Sequence, residues 1–220
     1  NENPEKKDKI IDYKQKTTFN LADYKKIAVL HRKLGEPKYD EWLYQFEEAG
    51  QPFNEYVNSD PVLPNDVQNK IYVLPIGEFT SLEKRILNET IDFMQVFFGL
   101  EIVIQKIKPD GFIPDTARRT NGDIEQLNTK YILYNVLKPV IPEDAIVYIA
   151  ITAKDLYPKD DWNFVFGQAS LKNRVSVASI YRLKYPDMDT SNYQLCLKRL
   201  MTTVTHETCH MFSIRHCKDY

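Results

Sequence analysis

Cysteine, net charge, long apolar runs and histidine are all in short supply in this chain of 220 residues. The three cysteines, Cys196, Cys209 and Cys217, are odd in number and crowded toward one end, which excludes a disulfide framework. Lys and Arg number 29 against 31 Asp and Glu, a net charge of -2, so no global basic field draws in nucleic acid or an anionic membrane. The 14 Tyr and 11 Phe fall at core spacing without interleaved basic residues and give no base-stacking platform. The longest strongly apolar run, Ala145 to Thr152, is far short of the roughly 20 residues a membrane-spanning helix needs. There is no internal repeat or low-complexity tract. Histidine occurs four times, and three of the four lie in the final fifteen residues.

What is present divides the chain in two, residues 1–65 and 66–220. Residues 1–9 carry no large apolar side chain and read as a solvated arm. The first residue is Asn rather than Met, so the chain is expected to be processed or engineered, with any signal peptide already gone. An extension follows, with a short apolar run at Ile27–Leu30 and a helix expected around Tyr39 to Ala49. It ends at the linker-like stretch Asp60-Pro-Val-Leu-Pro-Asn-Asp66.

From Lys70 the pattern is regular. Ile71–Ile76 reads as a strand, and Thr80 with Glu83 forms a capping-box signature. The helix it opens carries Leu82, Ile86, Phe93, Met94 and Phe97 up to Gly99. Leu100–Ile107 reads as a second strand, and Asp123 as the cap of a helix carrying Ile124, Leu127, Tyr131, Tyr134 and Leu137. The β-branched run Ala145–Thr152 predicts a strand covered on both faces. Phe164–Ala169 and Val175–Leu183 predict a hairpin. Lys106, Lys108, Arg118 and Arg119 read as a solvated basic loop. A last helix follows Asp189-Thr-Ser191, with its apolar stripe at Tyr193, Leu197, Leu200, Val204 and Met211. This order predicts an α/β layer with an antiparallel edge.

The last helix contains His206-Glu207-Thr208-Cys209-His210, with His216 six residues further on. Residues four apart on a helix lie one above the other, so His206 and His210 can aim two imidazoles at one point. At 100° per residue the pair lies about 160° from the Leu197, Leu200, Val204 stripe, off the face that packs the core. By chance, this spacing of three histidines with the glutamate arises in about one in ten thousand shuffles. A catalytic zinc takes three protein ligands and keeps one position open. His216 supplies the third only if the helix breaks near Ser213. Glu207 can then take a proton from the zinc-bound water, which makes the chain a peptide hydrolase. Cys209 and Cys196 read as packed thiols, and His31 as an isolated residue with local hydrogen bonds.

The run His-Glu-x-x-His-x-x-Ser-x-x-His-Cys resembles the signature of metzincin zinc peptidases, and the Cys after the third His resembles the archaemetzincin (archaelysin) branch. The segments Asp155-Leu-Tyr-Pro158, Trp162–Gly167, Ser179–Leu183 and Ile71–Phe79 are similar to that family too. The resemblance implies a metzincin-like mixed twisted sheet with an antiparallel edge strand, packed on a backing helix and an active-site zinc helix. It implies His206, His210 and His216 as ligands of one catalytic zinc and Glu207 as general base. Phe164, Val165, Phe166, Gly167 and Gln168 would be the edge strand, capturing a peptide or protein substrate by β-augmentation. The alternative is a zinc-binding protein without peptidase activity that captures peptides along the same edge.

Two features depart from the family. Its usual turn glycine is Ser213 here. Its further cysteines, which with Cys217 bind a second, structural zinc, and its methionine beneath the site would lie past Tyr220. The catalytic domain is therefore expected to lack its C-terminal part, with the second zinc present in a longer chain. A cysteine-ligated zinc suits a reducing cytoplasm, whereas a polar arm beginning at Asn suits an exported protein.

Overall fold

A computed structural model describes residues 26, 29–30, 35–39, 42–46, 49–185 and 190–216. His31 and Cys217 lie outside them. The chain forms two compact units: residues 62–214, and residues 1–61 together with 215–220. In the smaller unit Pro52 precedes a short helix, Phe53–Asn58. Arg215 is held there by its backbone N–H on Gln51 Oε1 and by an ion pair with Glu55, both at 2.8 Å. Trp42–Gln45 is helical within the longer stretch expected around it.

The larger unit is built on a mixed sheet in the order β2-β1-β5-β8-β7. Strands β1 (Lys70–Ile76), β2 (Glu101–Ile104), β5 (Ala145–Thr152) and β8 (Val175–Ser179) run parallel. Strand β7 (Gly167–Ser170) closes one edge antiparallel to β8. As the β-branched run requires, every residue of β5 is buried. Val147, Ile149 and Ile151 face the helices α1 (Ser81–Phe98) and α2 (Thr190–Met211), while Tyr148 and Ala150 face a second core. Ile132, Leu133, Val136 and Leu137 of a π-helical turn fill that second core. No helix among the described residues is long and apolar enough to cross a membrane.

Helix α1 starts and stops where its sequence says. Thr80 and Glu83 cap each other, and Gly99 ends the helix at φ 62°. Its buried stripe is Ile86, Leu87, Ile91 and Met94, whereas Phe93 and Phe97 are exposed, a correction to the expected stripe. Glu83 also pairs with Lys184 at 2.7 Å, just before α2. Burial pushes its carboxyl up, but the Lys184 ammonium and the Thr80 amide outweigh that and hold it below the ordinary 4.5. A carboxyl lowered in the folded state stabilises the fold above its unfolded pKa and loses that contribution as pH falls through the folded value. Thermal stability is therefore expected to drop below about pH 4.5, and Glu83→Gln to flatten that acid limb in melts taken from pH 3 to 7.

Two further expectations are corrected. Asp123 does not cap a helix. Arg118–Asn121 (β3) and Ile124–Asn128 (β4) form a hairpin whose turn is Gly122-Asp123, with Gly122 at φ 62°, and Asn128 caps the helical turn Thr129–Tyr131 instead. A second small sheet, β3-β4-β6, adds the short strand β6 (Asp155–Tyr157). The basic loop is only partly the solvated cluster expected: Lys106 and Lys108 are exposed, whereas Arg118 and Arg119 are engaged. Arg118 binds Asp110 and Glu125. Arg119 lies over the Tyr157 ring and donates to the carbonyls of Asp160, Trp162 and Asn163, fixing the loop that leads into β7.

Candidate functional site

Helix α2 presents two faces. Cys196, Leu200, Val204 and Met211 are buried against the sheet, while His206 is exposed and His210 half-buried on the other side. The Nε2 atoms of His206 and His210 approach to 3.0 Å. His210 Nδ1 lies 2.7 Å from the Ile214 carbonyl oxygen, which can only accept, so Nδ1 carries the proton and donates it. That leaves a lone pair on Nε2. A tetrahedral zinc with nitrogens at about 2.0–2.1 Å sets neighbouring donors about 3.3 Å apart, so the donor pair fits this ion with a few tenths of an ångström to open. The backbone carbonyl behind His210 is the support that orients zinc-binding imidazoles. His216, the third expected ligand, belongs to the smaller unit.

The turn after α2 is why the sequence can bring a residue back. The Ile214 N–H donates to the Cys209 carbonyl at 3.1 Å and the Ser213 N–H to the His210 carbonyl at 2.9 Å, the two bonds of a Schellman motif. Its left-handed position is Ser213, at φ 70°. Glycine is favoured there because a Cβ costs on the order of 1 kcal/mol in that region. The serine offsets this with its hydroxyl: Ser213 Oγ accepts from the Val62 N–H at 3.1 Å. Ser213→Ala keeps the strain and loses the bond, so it is expected to destabilise by about 1 kcal/mol, whereas Ser213→Gly loses both and is expected to be near neutral. Paired thermal melts of the two variants check this.

Glu207 occupies the inner side of the helix, 7% exposed, and burial alone pushes its carboxyl up to about 8. Thr208, next to it, is fully buried. Cys196 and Cys209 are free thiols raised by burial, Cys196 to about 11, which fits packed side chains rather than ligands.

The expected edge strand needs a correction in its first half. Strand β7 begins at Gly167. Before it, Val165 donates its N–H to the Leu156 carbonyl at 3.0 Å in a bridge to β6, and Phe164 lies under the Arg182 guanidinium at 4.1 Å. Phe166 is the transition, its carbonyl accepting from the Ser179 N–H at 2.8 Å and its ring half exposed. Gly167 pairs with Ala178 and Gln168 with Val177, and the Thr129 hydroxyl donates to Gln168 Oε1. Phe164 and Val165 are thus anchored inward, while Gly167 and Gln168 do form the edge.

Behind that edge lies a charge network that reasoning from the sequence missed. Asp155 is fully buried, held by Arg182 at 2.7 and 3.0 Å and by Gln126 Nε2 at 2.8 Å. Gln126 Nε2 also reaches the Asn163 carbonyl at 2.8 Å. The only signal available was the bare presence of Asp155 and Arg182 in the two segments flanking the hairpin.

The chain is similar to known proteins. The model of peptidase family M54 matches residues 70–220. Archaemetzincin-2 of Macaca fascicularis is 30% identical over 217 residues and that of Homo sapiens 31% over 213, each alignment taking in 81% of this chain. The chain spans 58% of the length of these curated relatives. The crystal structure of archaemetzincin from Archaeoglobus fulgidus superposes with a TM-score of 0.52 at 25% identity, over 67% of this chain and 80% of that one. With a family match running from the first strand of the sheet through the His-Glu-x-x-His helix, the chain belongs to peptidase family M54.

Proposed function

We propose that the protein is a zinc-dependent peptidase in which His206, His210 and His216 hold one zinc ion and Glu207 is the general base. The observation that carries this is the histidine pair: two Nε2 atoms 3.0 Å apart on one helix face, with His210 fixed by the Ile214 carbonyl so that its lone pair points at its neighbour. Zinc, when bound, polarises a carbonyl, acidifies water and by its charge favours the ionised form of a nearby carboxyl. The chain's own groups do the rest. Glu207, buried beside His206, takes the proton of the attacking water and passes it to the departing amine, which needs a carboxyl screened from bulk solvent. Strand β7 is hydrogen-bonded to β8 on one side, and its outer edge offers an extended peptide the backbone groups of a further strand. Membership of a peptidase family supports peptides or proteins as substrates.

A peptide library incubated with the zinc-loaded protein tests the reading. Cleavage abolished by a chelator and restored by zinc is expected. Retained zinc with no cleavage would leave a peptide-binding module in its place.

A further inference from the structure

The first residue of the edge strand meets the carboxyl assigned as base. A side-chain carbon added at Gly167 would fall 2.8 Å from Glu207 Cγ, 2.8 Å from Oε1 and 2.9 Å from Cδ, and those three atoms are its nearest neighbours. Carbon atoms pack at about 3.5–4.0 Å, so Gly167 and Glu207 are in contact only because one of them has no side chain. Backbone conformation does not explain the glycine. The described glycines at positive φ are Gly50, Gly77, Gly99 and Gly122, and Gly167 is absent from that set, so any residue can adopt its backbone. A glycine inside a strand then marks a close approach.

Neither backbone is free to withdraw. On the strand side, the Phe166 carbonyl is bonded to Ser179, Gly167 is in register with Ala178, and Gln168 is tied through its side chain to Thr129. On the helix side, Val204 and Met211 are fully buried against the sheet, so α2 is fixed on both sides of Glu207. An added methyl group therefore displaces the Glu207 side chain itself.

We propose that Gly167 is a positioning residue for the base: the missing side chain makes the slot that holds the Glu207 carboxyl against the start of β7, at the end of the strand that would align the substrate. The catalytic half of this rests on the role proposed above for Glu207, but the slot does not.

A double-mutant cycle separates the two. In thermal melts of the full chain, Gly167→Ala is expected to lower the midpoint by about 4 °C or more in the wild-type background and by less than about 1 °C in Glu207→Ala, because the obstacle is gone. An equal loss in both backgrounds, or no loss in either, would overturn the slot. Folding of the double variant where Gly167→Ala alone fails to fold would support it. With the metal loaded, Gly167→Ala is expected to retain wild-type zinc content and KM within about twofold while kcat falls about 10²-fold. A rise in KM matching the fall in kcat would assign Gly167 to peptide binding and overturn the positioning role. If the wild-type protein cleaves no peptide, the base role of Glu207 fails, and the stability cycle still decides the slot.

Discussion

Exchanging Glu207 for Gln is expected to lower kcat by about 10²–10⁴-fold while the protein keeps its zinc. The two effects separate because in the proposed site the residue stands beside the zinc ligands without being one of them. Its side chain is buried on the inner side of α2 and touches the start of β7, whereas His206, one residue earlier and about 100° round the helix, is exposed. Gln preserves the size and shape of the carboxyl, so it fills the same slot, and it removes only the capacity to accept and return a proton. KM should change little, since the proposed alignment of the substrate uses backbone groups of β7 rather than this carboxyl. Steady-state kinetics with zinc analysis of the same preparation checks the expectation. Full activity in Glu207→Gln would remove the residue from the reaction, and loss of zinc would make it a ligand.

The largest effect on stability is expected at Arg182. Its guanidinium lies over Phe164 and binds Asp155, whose side chain is completely buried. Arg182→Met keeps an apolar stem near the ring but strands the carboxylate with Gln126 as its remaining side-chain donor. Removing one partner of a buried pair typically costs 3–5 kcal/mol, and Arg182 is itself only partly exposed, so a loss of about 3 kcal/mol is expected. Chemical denaturation reads it directly. Asp155→Asn is expected to cost less, because the neutral amide leaves no buried charge. Equal losses for both would mean the pair is not acting through charge. The network also explains why an acid follows β5 and an arginine follows β8 in this chain: together they clamp the loop from which β7 emerges.

The elements that local pattern dictates were legible. The β-branched run could only be a strand covered on both faces, and Thr80, Glu83 and Gly99 mark both ends of α1. The spacing of His206 and His210 marks a face of α2 other than the one packed on the sheet. The π-helical turn and the small second sheet were not legible, for physical reasons. Ile124 and Leu127 fit a helical spacing as well as a strand, and only the pairing of β4 with β3 and β6 decides between them. A three-residue strand such as Asp155–Tyr157 carries too little periodicity to be read. Arg119 looked solvated because its partners, Asp160, Trp162 and Asn163, lie about forty residues away. Gly167 was visible as an interior glycine in a strand pattern, but what it makes room for sits on another element.

The assignment of the three histidines to one metal stands or falls on zinc stoichiometry. The protein should be purified without added metal and assayed by elemental analysis beside His206→Ala and His210→Ala. One zinc per chain in the intact protein, lost in both variants, is the expected result. No metal in the intact protein, or the same content in all three, would contradict it.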